Sequence, residues 1–337
     1  MALPRPAWYP ACTSDELGRR KPVALSLLGA PLVAFRDGAG RASVLVDRCP
    51  HRNAPLSAGL VRDGALECGY HGWRFDCAGS CVAVPGLQIR GAAAARSVGT
   101  HATVERDGIV WFWSEEGEPG EGEPFRLPSL GEGMRQVVFR YDIDATMHAA
   151  IENTLDVPHT AFLHRGLLRG GTKTNEIRAV RRQIDGGVEA QYYGEPFGIG
   201  FIRPRSDTEL VHMDRFVLPC VAQVEYRAGA WLQIMNSVLH LPLDETRTRA
   251  WFVLRANSQR LPRRLVETVI RLQGPRVAKQ DVRMLGRVTE TIRRFGGERY
   301  TSTEMDLFGS AVWRLLRAAE KGEEPPVLEP REVTFRA

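Results

Sequence analysis

Residues Cys49–Trp73 read CPHRNAPLSAGLVRDGALECGYHGW. Two matched pairs stand in this stretch: Cys49-Pro50-His51 and Cys68-Gly69-Tyr70-His71. Sixteen residues separate His51 from Cys68. Two thiolates and two imidazoles suit a [2Fe–2S] centre in which cysteines hold one iron and histidines the other. Exchanging two thiolates for neutral imidazoles removes negative charge and raises the potential, which suits an electron relay. A zinc site also takes two Cys and two His, but usually as C-x2–4-C and H-x3–5-H pairs, whereas here each pair is mixed. Four ligand-type residues repeating as C-x-H and C-x-x-H argue against unrelated buried thiols and surface imidazoles.

Outward from this stretch, the chain has 337 residues, 43% hydrophobic and 25% charged, with a net charge of +5. That is room for two domains of ordinary soluble composition. The mild basicity forms no stripe interleaved with aromatics, so no nucleic-acid partner is expected. The N-terminus lacks an apolar core of signal-peptide length and no apolar run reaches 18 residues, so no membrane span is expected. Two of the six cysteines belong to the paired motif. The other four, including nearby Cys77 and Cys81, are expected to be free thiols, consistent with a cytoplasmic location. Arg48, Arg52, Arg62 and Arg74 crowd the motif, either as a solvated face or as a docking surface for an acidic electron donor.

Residues 8–48 read as short strands, with a hairpin turn at Asp37–Gly40. Gly69 and Gly72 allow close backbone approach around the motif. Trp73 either shields the cluster or is a simple core aromatic. Strands continue to Trp113, and EEGEPGEGEP (115–124) is the most linker-like stretch. The expected division is 1–116 for the cluster domain, 117–130 for a linker and 131–337 for a second domain. In the second domain, Asp144 is expected to cap a helix running to about Val157. Five or more antiparallel strands follow over 178–256. Helices are expected over 262–273 and 276–294, broken at Gly274-Pro275, and then an amphipathic helix in the tail, ending in a loose polar segment.

A second constellation lies in ENTLDVPHTAFLHRG, residues 152–166. His159 and His164 are five apart, which on a regular helix is roughly 140° of rotation, too far for one small ion. Pro158 strains the helix here, and a widened or broken turn can bring both imidazoles to one side. The segment RVAKQDVRMLGRVTETI supplies a third donor. Asp281 falls in the apolar row formed by Val277, Leu285, Val288 and Ile292. A carboxylate on a core face needs a partner; the options are a metal or an ion pair with a buried arginine. Two histidines and one carboxylate with open positions form the facial arrangement of non-haem Fe(II) oxygenases. Asp156 is one turn before His159 and can accept a hydrogen bond from its other ring nitrogen, and Asn153 lies one turn earlier again.

The paired C-x-H and C-x-x-H motif, the N-x-x-D-x-x-H-x4-H run and a distal aspartate on a late helix together resemble the α subunit of Rieske non-haem iron oxygenases. Both loops lack the additional cysteine of mitochondrial-type Rieske proteins, with Arg52 and Gly72 near those places. The resemblance implies an α+β chain: an N-terminal all-β Rieske [2Fe-2S] domain, then a C-terminal helix-grip (START/Bet v1-like) antiparallel sheet catalytic domain. It implies that Cys49, His51, Cys68 and His71 hold the cluster, that His159, His164 and Asp281 hold Fe(II), and that Asp156 bridges the two centres. It also implies a homotrimer in which one subunit's cluster serves its neighbour's iron. Where the family usually has Trp-Lys before the Glu-Asn pair, this chain has Met147-His148. The short length and the DVPHTAFLH wording resemble the monooxygenase and demethylase branch.

The expected activity is that of an O2-dependent oxygenase component that hydroxylates or demethylates a largely hydrophobic small molecule. Electrons would come from NAD(P)H through a separate ferredoxin or flavin reductase, since no Gly-rich nucleotide fingerprint follows a strand. The alternatives are a ring-dihydroxylating dioxygenase, a Rieske electron carrier, or a lipid-binding module on the same scaffold. Expected substrate contacts are Phe201, Met235, Asn236, His240 and Trp251. His240 resembles a substrate-contacting histidine of that branch; the alternative is a strand-end histidine bonded to backbone.

Overall fold

The computed structural model describes residues 4, 6–87, 94–167, 176–194, 210–229 and 231–336. The chain forms two compact units, Met1–Leu127 with Leu241–Glu245, and Pro128–His240 with Thr246–Ala337.

The strands of the first unit are β1 (Trp8–Thr13), β2 (Val23–Leu27), β3 (Ala30–Arg36), β4 (Ala42–Val46), β5 (Leu60–Arg62), β6 (Ala65–Glu67), β7 (Arg74–Phe75), β8 (Cys81–Ala83), β9 (Thr100–Arg106) and β10 (Ile109–Glu116). They build a six-stranded sheet, ordered β1-β10-β9-β4-β3-β2, and a four-stranded sheet, β5-β6-β7-β8. The run Ile109–Ser114 is buried throughout, as a continuous apolar strand covered on both faces should be. The expected turn at Asp37 closes the β3–β4 hairpin, with the Asp37 N–H donating to the Arg41 carbonyl at 2.9 Å. Phe35, Leu45, Leu56, Leu66 and Phe75 form a core that includes Cys49 and Cys68. The segment Leu241–Glu245 is bonded to the β2–β3 turn: Leu28 and Gly29 N–H groups donate to the Pro242 and Leu243 carbonyls at 3.0 and 2.8 Å.

The second unit carries an eight-stranded sheet of β11 (Arg135–Ile143), β12 (Glu176–Ile184), β13 (Gly187–Tyr193), β14 (Leu210–Val217), β15 (Val221–Ala228), β16 (Leu232–Pro242), β17 (Thr248–Asn257) and β18 (Arg331–Arg336), in the order β11-β17-β16-β15-β14-β13-β12-β18. Its helices are α1 (Met147–Leu155), α2 (Thr160–Leu163), α3 (Arg263–Arg294) and α4 (Gly309–Lys321). Helix α3 lies on the sheet through one stripe of buried residues: Val266, Ile270, Ala278, Leu285 and Thr289.

Three sequence expectations change. Helix α3 is one continuous element of 32 residues with Pro275 inside it, not two helices. Interior proline costs about 3 kcal/mol, but both halves of α3 bury apolar residues on the same sheet, and that shared packing holds the two halves in line. Helix α1 starts at Thr146, whose hydroxyl accepts from the Ala149 N–H at 3.2 Å, rather than at Asp144. The polar segment after α4 has no regular structure, as expected, but the tail continues past it into β18, paired antiparallel with β12. No described helix is long and apolar enough to cross a membrane.

Candidate metal centres

In the first unit, the Cys49 and Cys68 loops repeat one backbone pattern. The N–H of each cysteine donates to a carbonyl five residues on, Cys49 to Ala54 at 2.9 Å and Cys68 to Trp73 at 2.8 Å. The residue four positions on returns an N–H to the cysteine carbonyl, Asn53 to Cys49 and Gly72 to Cys68, both at 2.9 Å. Both returning residues are left-handed, with φ of 60° at Asn53 and 71° at Gly72. One histidine spacing is a residue longer than the other, which hides this repeat in the sequence. Close approach is built in as well. A β-carbon on Gly69 would lie 2.9 Å from the Ala58 carbonyl oxygen, and one on Gly72 would lie 2.9 Å from a Pro85 ring carbon.

The four donors converge in two pairs. Both thiols are buried. Burial, and the nearby Cys68 thiol, raise the Cys49 pKa to about 11, so thiolates there require a strongly positive partner. The His51 and His71 rings lie edge to face at 4.6 Å, and His51 stacks on Trp73 at 4.7 Å. His51 Nδ1 is buried without a hydrogen-bond partner. Buried sulfurs on one side and an unpartnered imidazole nitrogen beside a second ring on the other match the donor set of a Rieske cluster. Trp73 therefore packs on a ligand-type ring and also joins the core around both cysteines. Outside this pocket, Arg62 and Arg74 are paired with Glu67 at 3.6 and 2.8 Å, and Arg74 also with Asp63. The basic face beside the motif is thus partly neutralised. Cys77 is half-buried and Cys81 buried, both as free thiols.

In the second unit, the turn at Pro158 is a break and not a widened helix. Helix α1 ends at Leu155 with Asp156 as its C-cap, and the single turn α2 has His159 and His164 at its two ends. This brings His159 Nε2 within 3.2 Å of His164 Nε2. Asp281 Oδ1 lies 3.5 Å from the first and 3.0 Å from the second. The ligand atoms of all three residues lie within 4.8 Å of one another. Donors bound at about 2.1 Å and a right angle apart on one ion would be about 3 Å apart, so these spacings suit a common cation. Asp281, which the sequence puts on the core face of α3 in need of a metal or an arginine partner, has the two histidines as near neighbours. Its side chain is mostly buried, at 14% exposure.

The surroundings orient these rings. His164, at 1% exposure, has Nδ1 2.8 Å from Gln280 Oε1, which turns its Nε2 inward. His159 Nδ1 lies 3.3 Å from Asp156 Oδ2, close enough for charge interaction but without good hydrogen-bond geometry. Burial pulls the His159 pKa down, but the carboxylates of Asp156 and Asp281 outweigh it and raise the value to about 9. Burial likewise pushes Asp281 up, and its bonds to the two histidines prevail, leaving it below the usual carboxylate range. Met147-His148 takes no part in this group: His148 is buried and bonds the Gly309 carbonyl at 2.9 Å.

A cavity of about 230 Å³ opens beside the three residues. Asn153, Asp156 and Asn236 line it. Met235 and Trp251 are not among the described lining residues, because strand alternation turns them to the opposite face from Asn236 and Phe252. His240 is also absent from the described wall. It is fully buried, with Nδ1 3.0 Å from the Cys220 carbonyl oxygen, and burial lowers its pKa to about 4. Phe201 lies outside the described residues.

Sequence reasoning missed several wall residues. His212 Nε2 sits 3.0 Å from Asp214 Oδ1, and the His212 ring lies between Tyr192 and Tyr226 at 4.6 and 4.1 Å. The signal was present in LVHMDRFV, where His212, Asp214 and Phe216 alternate on the buried face of β14. Two polar residues on a buried strand face need a local reason. Gln273 of the wall and Gln280, which bonds His164, were also not singled out. Gln280 precedes Asp281, and Gln273 lies on the same helix.

The comparisons with known proteins agree with this construction. Residues 7–93 match the Rieske [2Fe-2S] domain family and residues 143–322 match the vanillate O-demethylase oxygenase C-terminal domain family. The vanillate O-demethylase oxygenase subunit of Pseudomonas sp. (strain HR199 / DSM 7063) is 26% identical over 97% of this chain and 98% of that protein. The oxygenase component of dicamba O-demethylase from Stenotrophomonas maltophilia is 33% identical over 56% of each chain. The crystal structure of dicamba monooxygenase bound to dicamba shares the fold with a TM-score of 0.81 at 23% identity, over 95% of this chain and 98% of that one. With two matched motifs, two matched domain families and a shared fold, the chain belongs to the Rieske non-haem iron oxygenases, as an α subunit of the vanillate demethylase and dicamba monooxygenase branch.

Proposed function

We propose that the chain is the terminal oxygenase of a monooxygenase system that hydroxylates or oxidatively demethylates a small, largely hydrophobic molecule. The observation that carries this is the convergence of His159, His164 and Asp281 at the edge of a mostly apolar cavity. In this reading those three residues hold Fe(II), and Cys49, His51, Cys68 and His71 hold the [2Fe-2S] cluster. Bound there, the two groups supply activation of O2 with electrons drawn from NAD(P)H through a ferredoxin or flavin reductase. Gln280 orients His164 through its hydrogen bond, and the Asp156 carboxylate draws the His159 ring toward it by charge. Phe139, Phe252 and Leu254 exclude water from the cavity and hold the substrate's apolar part. For a methyl ether, oxygen insertion into a methyl C–H bond yields a hemiacetal that releases formaldehyde, and the second oxygen atom leaves as water.

Asp156 is the proposed bridge between centres in a homotrimer, where one subunit's cluster serves its neighbour. Surface exposure supports this: Tyr70, beside His71, is 66% exposed, and Phe162, between His159 and His164, is 76% exposed. Large apolar groups next to both ligand sets suit faces covered by another copy. The free thiols suit a cytoplasmic setting.

Anaerobically purified protein should hold three irons per chain: a cluster pair and one more. Substrate-stimulated uptake of labelled O2 should place one labelled atom in product or formaldehyde. Two labelled atoms in a cis-diol would establish the dioxygenase instead. Cluster iron alone, unchanged by His159→Ala, would reduce the protein to an electron carrier.

A further inference from the structure

Two apolar clusters of the second unit, both packed against Phe139 and Leu254, contribute to the cavity wall. In one, Val266 and Ile270 of α3 pack with Ile234 of β16. In the other, Ala278 and Leu285 pack with Val238. Between those levels the chain carries amides: Asn236, midway between Ile234 and Val238, and Gln273, between Ile270 and Ala278. Both line the cavity. Asn236 Oδ1 and Gln273 Oε1 are each buried, and neither has a hydrogen-bond partner. Buried acceptors are nearly always matched, so two unmatched ones in one cavity wall point to a ligand that matches them.

The rest of the wall limits what that ligand is. The Phe139 and Phe252 rings stack at 5.3 Å and 15°. Gly274 keeps the helix flat against them, since a β-carbon there would lie 3.0 Å from two Phe139 ring carbons. The carboxylates of Asp156, Asp214 and Asp281 are also in the wall. Each of these acids already faces a histidine, so the acids do not decide the ligand's charge. An ionised carboxylate on the ligand is disfavoured because it offers no donor to a carbonyl oxygen. Turning either amide over presents its NH2 instead, so each side chain can give one donor and one acceptor.

We infer that the cavity takes an uncharged, single-ring aromatic molecule with a carboxamide-like polar edge, held by Asn236 and Gln273 as the specificity-determining residues. The inference rests on the oxygenase reading for which bond is oxidised, but not for what binds. The volume of about 230 Å³ suits one ring, since drug-sized pockets run to roughly 300–1,000 Å³.

Matched probes test it. 4-Methoxybenzamide and 4-methoxybenzoate have the same ring and ether and differ in charge and donors. Anaerobic calorimetry on the iron-loaded enzyme should show the amide binding at least about tenfold tighter. Asn236→Leu and Gln273→Leu should each weaken the amide by about five- to thirtyfold, leaving the benzoate within about threefold. The wild-type comparison stands even where a variant fails to fold. Equal affinities, tighter benzoate, no binding of either probe, or folded variants with unaltered preference would each overturn the assignment. Amide binding without formaldehyde release would instead count against the proposed demethylation and leave the binding assignment intact.

Discussion

The two candidate metal centres are built in opposite ways. The cluster pocket takes all its donors from 23 consecutive residues, Cys49–His71, in two loops with one hydrogen-bonding pattern. The second centre takes two donors from a broken helix and the third from α3, more than a hundred residues on. The first arrangement puts its thiols in the core and its histidines toward the surface, with His71 exposed. The second puts its donors at a cavity within a sheet–helix sandwich. The first thus brings its histidine pair to a surface edge, and the second sets its donors beside an enclosed cavity. A local site depends on turn geometry, whereas a distant one depends on the packing of a whole domain.

The strongest test of this contrast separates the centres chemically. His164→Ala or Asp281→Ala should abolish turnover and lower iron from three to two per chain while leaving the cluster's visible spectrum intact. Loss of that spectrum as well would show the two centres to be one folding unit. Asp156→Asn should keep all the iron but reduce turnover by about 10–100-fold, as expected for a group that orients a ligand. Full activity in this variant would remove Asp156 from both orienting and bridging roles.

A smaller effect appears with pH in the metal-free protein. His159 has its pKa raised to about 9, so its stabilising contribution is full below the ordinary value of 6.5 and is lost as pH rises through 9. Asp281 is lowered, so its contribution is present above 3.8 and is lost as pH falls below that. Melting temperature without metal should therefore fall between pH 6.5 and 9.5, less steeply in Asp156→Asn. Fe(II) binding should release protons over the same window, because the ligand form of imidazole is neutral. Calorimetry in buffers of different ionisation enthalpy would show this; zero proton release at pH 7.5 would contradict it. The mildest change is Gly72→Ala in the cluster loop. A left-handed backbone with a side chain costs roughly 1–2 kcal/mol, and the contact with Pro85 adds to it. The expected outcome is a modest fall in the first unit's melting temperature with the cluster still assembled, read by differential scanning calorimetry. An unchanged melting temperature would show that the loop relaxes freely.

Much of the cluster pocket could be read directly because ligand type and spacing are local properties. The strand series and the inward row of α3 were also legible, since alternation and helical periodicity record which face is buried. Pro275 misled for a related reason. Local propensity marks a break, yet packing along 32 residues carries the helix through it. Residue type and position on a strand mark Met235 and Trp251 as wall candidates, and only strand register reveals that they face away from the cavity.

The sequence alone determined the donor chemistry: two thiolates, four imidazoles and a carboxylate, at spacings that few other sites use. Only the tertiary structure decided which donors meet, that the turn at Pro158 is broken, and that Asn236, Gln273, His212 and Asp214 share one wall. The physical reason is range. Ligand spacing within a loop is fixed by bond lengths and turns, whereas a cavity exists only after a sheet and a helix more than a hundred residues apart in places have buried their apolar faces against each other.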